Sequence, residues 1–396
     1  MIDNNKVKDA VAALFNTGNK VYVACTGAGA GIAKMLWQVP GASGTLVGAP
    51  FTYAQGDSDI FLGTEWSKSG YSYCGPEAAI ALAQASYLRA QQIGVSAGNI
   101  SPIIAVGLTA AVTTNRELKG GTRCYAAVRT KASIHTCEVW MKQGFLGREG
   151  DGEVCDLIAL NLVLFAAGLP QIPFEENLYI EFKDFSKSDY LILAPTKFVP
   201  PVLPDEFDAA LFGINGKLQN IPSDFSDNII FPGSFNPLHF GHDAMAKIGE
   251  LVSGKKAIFE ITAKNADKTA LSKEDLALRL NYFVGRWPVI VHKRGATLFI
   301  DKVRAYAGAT RFIVGFDTAA RILDPKYYES YSGKLEGMLL DLAQSNVKLH
   351  VVSRTDNDKV LSCRDLNIPF GFEGLFAPLP GRWDISSTAL RKEVKV

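Results

Sequence analysis

No two cysteines in this chain stand as a Cys-x-x-Cys pair. The six are scattered, at Cys25, Cys74, Cys124, Cys137, Cys155 and Cys363. That spacing argues against a zinc site and for reduced thiols in a cytosolic protein. Long hydrophobic runs are missing as well. The longest, Leu157 to Leu169, is broken by Asn161 and Gly168 and is too short to span a bilayer. Met1 to Lys8 is polar and charged, and no apolar core of the signal-peptide kind follows it. Nor does one sign of charge prevail: 41 Lys and Arg face 40 Asp and Glu, a net charge of +1. Such a balance speaks against nucleic acid or an anionic membrane as partner, while leaving room for a local phosphate pocket. The expectation is a soluble, cytoplasmic protein without a protein-held metal.

What is present suits a large folded chain. With 396 residues, 47% hydrophobic and 20% charged, the sequence can fill two domain cores. The first part alternates helical and strand patterns. Lys6 to Phe15 has helical spacing, Val21 to Cys25 is a short apolar run, Thr26 to Gly31 is a glycine-rich turn, and Ile32 to Trp37 is helix-like. Pro76 to Gln92 is alanine-rich and helical, with proline well placed at its start. Ile103 to Val106 and Cys124 to Val128 read as strands, and Glu153 to Ala167 as a buried helix. Between Leu169 and Asp227 there are seven prolines, which exclude a continuous helix. Strand-like pieces at Leu178 to Phe182 and Tyr190 to Leu193 make this stretch an ordered connector. From Asn228 onward, Ile229 to Phe231, Ala257 to Thr262, Val289 to Val291, Arg311 to Val314 and Lys348 to Val352 alternate with helical stretches. These include Asp243 to Val252, Lys273 to Val284 and Leu298 to Tyr306. The fold class is therefore α/β, with a C-terminal doubly wound parallel sheet. The expected division is 1–168, a connector 169–226, and 227–396.

The most informative segment runs Gly233-Ser234-Phe235-Asn236-Pro237-Leu238-His239-Phe240-Gly241-His242. It leaves a strand and enters a helix. Gly233 and Gly241 let the backbone approach a phosphate, and free N–H groups at the helix mouth attract anions. His239 and His242 are suited to hold phosphate oxygens. A second segment, Ile385-Ser386-Ser387-Thr388-Ala389-Leu390-Arg391, combines capping hydroxyls with an arginine one turn on. Lys264 and Lys268 follow a strand at the sheet's carboxyl edge, and Arg279 on the next helix is a weaker candidate.

These segments resemble the His-x-Gly-His and Ile-Ser-Ser-Thr-x-x-Arg signatures of the nucleotidylyltransferase superfamily. The spelling from Gly233 to His242, and Gly315-Phe316-Asp317, are similar to nicotinamide or nicotinate mononucleotide adenylyltransferases. The resemblance covers nearly all of Asn228 to Arg391. It implies transfer of a nucleoside monophosphate from a nucleoside triphosphate to a small phosphorylated acceptor, with magnesium on the phosphates. It assigns His239 and His242 to the α- and β-phosphates, and Ser386, Ser387, Thr388 and Arg391 to the β- and γ-phosphates. Gly233, Ser234, Phe235, Asn236, Gly241, Lys264, Lys268, Gly315, Asp317 and Ile385 complete the expected nucleotide site. ATP is the expected donor. CTP, another small phosphorylated acceptor, or a nucleotide-binding scaffold without activity remain alternatives.

The N-terminal part invites a dinucleotide reading through Gly27, Gly29 and Gly31. The third glycine comes one residue early, however, and no acidic residue closes the unit. Ala24-Cys25-Thr26-Gly27, Val39 to Ser43, Phe51 to Ala54, Gly107 to Ala110 and Gly120-Gly121-Thr122 instead resemble the CinA-type, nicotinamide-mononucleotide deamidase family. The likeness is collinear over about Val7 to Gly168. The family's Glu and Ser before Cys-Thr-Gly are Val23 and Ala24 here. Its Lys falls near Asp57 or Ser58. Without nucleophile and base the deamidase is expected to be inactive, leaving self-association or ligand binding as roles.

Overall fold

The computed structural model describes residues 3–63, 66–98, 101–116, 121–174, 190–192, 196–198, 208–263, 271–293, 298–356, 359–381, 383 and 385. The chain divides into two compact units, 1–199 with 284–286, and 200–283 with 287–396. The strand expected at Leu178 to Phe182 lies outside the described residues.

The first unit is built on a mixed sheet. Its strands are β1 (Lys20–Thr26), β2 (Leu46–Gly48), β3 (Ile103–Ala111), β4 (Thr122–Arg129), β5 (Ile134–Met141), β6 (Tyr190–Ile192) and β7 (Thr196–Lys197). The order is β2-β1-β3-β4-β5-β6, with β7 also on β5. β2, β1 and β3 are parallel; the later pairs are antiparallel. The helices are α1 (Asn4–Phe15), α2 (Gly31–Trp37), α3 (Gln55–Leu62), α4 (Pro76–Ser96) and α5 (Gly147–Ala166). Side chains alternate across each strand. Val21, Val23 and Cys25 of β1, with Ile104, Val106 and Leu108 of β3, join one core with α1, α2 and α5. Residues of the opposite parity on β3 face α4. A side chain on Gly107 would come within 2.2 Å of Ala83 N and 2.3 Å of Ala79 O, so the missing Cβ is what lets α4 lie against β3. The polar residue in the apolar α5 also has its reason. Asn161 donates to Ile172 O (2.9 Å) and accepts from Ile172 N (2.8 Å), fixing the chain as it leaves the helix.

The second unit carries an eight-stranded sheet: β8 (Ala209–Phe212), β9 (Leu218–Gln219), β10 (Asn228–Pro232), β11 (Lys256–Thr262), β12 (Val289–His292), β13 (Arg311–Gly315), β14 (Lys348–Val352) and, beyond a separate hairpin β15 (Arg354–Asp356)–β16 (Lys359–Leu361), β17 (Phe376–Leu379). The order is β17-β14-β13-β10-β11-β12-β8-β9. β10 to β14 and β17 pair in parallel, whereas β8 joins β12 antiparallel. Strand order reverses between β10 and β13, the switch point of a doubly wound fold. The central strands are buried along nearly their whole length, as strands covered on both faces must be. α6 (Phe240–Ser253) and α7 (Lys273–Asn281) contribute Ala246, Leu276 and Leu280 to one core. α8 (Phe299–Ala305), α9 (Phe316–Ile322) and α10 (Lys334–Gln344) contribute to the other. The stretch expected to be a connector is not independent of either sheet: β6 and β7 extend the first, and the β8–β9 hairpin edges the second.

Gly107→Ala should destabilise the first unit by on the order of 1–3 kcal/mol, the range of core overpacking, because main chain and not a mobile side chain stands in the way. Gly56→Ala, on α3 with no atom within 4 Å of the added carbon, is the control and should not destabilise. Chemical unfolding followed by a probe in the first unit distinguishes them.

Candidate functional site

β10 ends at the switch point, and the loop 233–239 rises from it into α6. Gly233 N donates to Glu260 O (3.0 Å), joining the loop's first residue to the neighbouring strand. Ser234 is exposed, and its carbonyl accepts from Nη1 of Arg279 on α7 (2.8 Å). Arg279 thus braces the loop by a main-chain contact. Phe235 is 4% exposed, with its ring edge-on to Phe231, Phe283 and His242. The ring anchors the loop from below and offers no open surface to a nucleotide. Gly233 has no room for a side chain, since a Cβ would lie 2.5 Å from that ring.

The two histidines meet at the mouth of α6. His239 is the N-cap, in extended conformation, and His242 sits in the first turn. Their rings stack at 3.6 Å with an interplanar angle of 27°. The main-chain N–H of His239 donates to Nδ1 of His242 (3.3 Å). An imidazole nitrogen that accepts carries no proton, so the neutral ring of His242 bears its hydrogen on Nε2. Burial holds both groups in the neutral form. It pushes His239 down to about 3, and with the help of the adjacent His239 it holds His242 well below the ordinary histidine range. The arrangement presents an N–H donor at a helix N-terminus without a resident charge. A phosphate group entering there meets oriented dipoles and would itself favour protonation of the rings.

The next residue was not singled out by sequence. Asp243 accepts from Trp287 Nε1 (3.0 Å) and pairs with Lys247 one turn on (3.3 Å). It ties the first turn of α6 to the entrance of β12, so the histidine pair stands on a braced helix. Gly241 faces Ile385: a Cβ there would lie 2.9 Å from Ile385 Cγ2. The structure therefore brings the start of the Ile-Ser-Ser-Thr segment to the helix mouth. Ser386, Ser387, Thr388 and Arg391 lie outside the described residues, as do Lys264 and Lys268. Gly315 caps α9 at the end of β13, and Asp317 pairs at the surface with Arg354. Asn236 is half-buried in the loop. Among the described residues no group of three or more His, Cys, Asp and Glu is placed to hold a metal ion, and no helix is long and apolar enough to cross a membrane.

In the first unit, Val23 and Ala24 are fully buried within β1. Cys25 is 1% exposed, and burial together with the neighbouring Asp156 pushes its thiol far up, away from the thiolate a nucleophile requires. Asp156 accepts from Gly31 N (2.8 Å) at the start of α2. Burial pushes its carboxyl up to about 6 against the N–H groups of Gly31 and Ile32. Ser58 is buried and donates to Thr52 O (3.0 Å). These groups are committed to holding turns.

The depressed histidines have a consequence for stability. An unfolded histidine takes up its proton near pH 6.5, whereas folded His239 does so only near 3. The stability it contributes is complete above about pH 6.5 and is lost as pH falls toward 3, by up to about 1.4 kcal/mol per unit for each such group. Hydrogen exchange of β10 and α6, corrected for intrinsic rates, should show the opening free energy falling between pH 7 and 5. The slope should be shallower in His239→Gln. An opening free energy independent of pH, or an equal slope in the variant, would contradict the neutral buried pair.

No family model matches the chain. It is 32% identical over 110 residues to a Schizosaccharomyces pombe protein named "putative nicotinamide mononucleotide adenylyltransferase", a match covering 25% of this chain and 43% of that relative. The chain thus spans less than half the length of the curated relative it matches. Solved structures of the CinA superfamily also align. A competence/damage-inducible protein from Agrobacterium tumefaciens has 17% identity over 42% of this chain and 98% of its own, with a TM-score of 0.33. An Escherichia coli member of that superfamily has 15% identity over 43% of this chain and 94% of its own, with a TM-score of 0.31. The chain is an α/β protein of two units, similar to proteins of the CinA superfamily and, in part, to a nicotinamide mononucleotide adenylyltransferase-like protein.

Proposed function

We propose that the second unit transfers the adenylyl group of ATP to the phosphate of nicotinamide mononucleotide, or of a closely related mononucleotide, releasing pyrophosphate. The observation that carries this reading is the stacked His239–His242 pair at the N-terminus of α6, set at the switch point of a doubly wound sheet. The partial match to the yeast protein supports it. In the transfer, a phosphate oxygen of the acceptor forms a bond to the α-phosphorus of ATP. The bond from that phosphorus to the bridging oxygen breaks, and the electron pair leaves on pyrophosphate. No protein nucleophile is required. The chain's part is to place the two phosphates and to meet the charge that develops between them.

The residues have distinct tasks on this reading. Nε2–H of His242 donates to a phosphate oxygen, and His239 stands against it as the cap of the same helix. Free N–H groups in the first turn of α6 add to the donor set, and Gly233 keeps the loop low enough for the triphosphate to approach. Ser386, Ser387, Thr388 and Arg391 hold the β- and γ-phosphates, Lys264 and Lys268 meet phosphates from the β11 side, and Asp317 meets the ribose or a water on the metal. Magnesium entering with the triphosphate would neutralise part of its charge.

His242→Ala should lower the turnover of adenylyl transfer by about 10²-fold or more, the usual cost of removing a preorganised donor to developing charge. The circular dichroism spectrum should be unchanged. Near wild-type turnover in that variant would remove the mechanism.

The first unit is proposed not to hydrolyse amides. Where the deamidase family has its carboxylate and hydroxyl, Val23 and Ala24 supply neither; where it has its ammonium, Asp57 and Ser58 supply none; and Cys25 is a buried thiol. Purified protein incubated with nicotinamide mononucleotide should release no ammonia. Enzymatic release, abolished by Cys25→Ala, would show that the thiol has replaced the serine.

A further inference from the structure

A buried ion pair stands beside the loop 233–239 that nothing above employs. Glu260, near the carboxyl end of β11, is 1% exposed. Lys302 Nζ on α8 lies 2.5 Å from one of its oxygens and 2.6 Å from the other. Thr262 Oγ1 donates to the same carboxylate (2.9 Å). On the adjacent strand, His292 Nε2 and Tyr306 OH are 2.8 Å apart, with their rings edge-on. Glu260, His292 and Lys302 interrupt a face otherwise lined by Ile258, Ile290, Ile300, Val303 and Tyr306.

Taking two charges out of water is costly, and apolar residues of similar volume commonly stabilise such a position as well or better. The pair therefore calls for a reason other than stability. Its position offers one. The main-chain oxygen of Glu260 receives Gly233 N–H, so the cluster is one hydrogen bond from the loop that leads to the histidines. It occupies the ends of β11 and β12, on the opposite side of β10 from β13, at the carboxyl edge where ligands of such sheets bind. Lys302 keeps 19% of its side chain accessible, so the cluster is not sealed.

The electrical character of the cluster is distinctive. Glu260 and Lys302 cancel, and burial keeps His292 toward its neutral form. What remains is a net-neutral surface that still has hydrogen-bonding capacity, because an ammonium has three donors and the carboxylate engages two. Such a surface receives a neutral polar group well. It gives a carboxylate no net attraction to offset desolvation, and Glu260 repels it.

We propose that the Glu260–Lys302 pair, with His292 and Tyr306, selects the neutral, carboxamide form of the acceptor against its carboxylate form. The selection rests on the transferase reading above. Glu260 acts through Lys302 by holding its charge in check, and Lys302 meets the acceptor.

The test compares two acceptors with the full chain, ATP and magnesium: nicotinamide mononucleotide and nicotinate mononucleotide. Wild type should use the amide with the higher kcat/KM. Glu260→Gln keeps the side-chain shape and releases the charge of Lys302, and should move the ratio of the two kcat/KM values toward the acid by about tenfold or more. Lys302→Met leaves the carboxylate alone and should move the ratio the other way, which keeps the test available if Glu260→Gln does not fold. A partial loss of folded protein lowers both rates together and leaves each ratio intact. A ratio unmoved in the folded variants, or a wild type that prefers the acid, overturns the selection alone. Wild-type transfer to neither acceptor overturns the transferase reading, and the selection with it.

Discussion

The hydrogen bond from the main-chain N–H of His239 to Nδ1 of His242 is the contact on which the candidate site turns. It fixes the cap of α6, sets the tautomer of one ring, and seats that ring against the other at stacking distance. Two charged imidazoles could not share this position. Burial and mutual proximity both favour the neutral forms, and the site keeps its donors without like-charge repulsion. The supports lie in a wider ring. Phe235 plugs the loop into the core, Arg279 holds the Ser234 carbonyl, and Asp243 binds the helix to Trp287. Preorganisation of this kind matters for phosphoryl chemistry, where placement does most of what a protein can do.

The first unit carries a turn of the same kind with a side chain of the protein at its helix mouth. Its glycine-rich loop follows a parallel strand and opens α2, as a ligand loop does. Yet Asp156 fills the helix mouth, and a Cβ on Gly31 would lie 2.0 Å from its carboxylate. A side chain of the protein stands where an anion would otherwise be drawn. With Cys25 held as a thiol beside it, the turn is a packed corner of the fold.

Much of the architecture could be read from the sequence. Parallel strands covered on both faces appear as largely apolar runs, which is why β10 to β14 were legible at nearly their observed bounds. The β8–β9 hairpin was not, because the four residues of β8, in a proline-bearing stretch, gain their strand character by pairing with β12, far along the chain, and the two of β9 by pairing with β8. The site divides in the same way. Local order gave His239, His242 and the two glycines, since a strand, a loop and a helix in succession place them together. It does not tell that the ring of Phe235 turns inward, because a motif does not show which of its side chains face the core. Glu260–Lys302 and Asp243–Trp287 join residues 42 and 44 positions apart, and no spacing rule connects them. Arg279 was seen as a cation, though its observed partner is a main-chain carbonyl.

In the free protein the two rings are neutral, with the hydrogen of His242 on Nε2. Nitrogen NMR of the uniformly labelled full chain at pH 7 reads this directly. The expected spectrum shows a neutral His242 protonated on Nε2 and a neutral His239, with both rings perturbed when magnesium–ATP is added. An imidazolium at either position before nucleotide is added, His242 protonated on Nδ1, or rings unaffected by saturating nucleotide would contradict it.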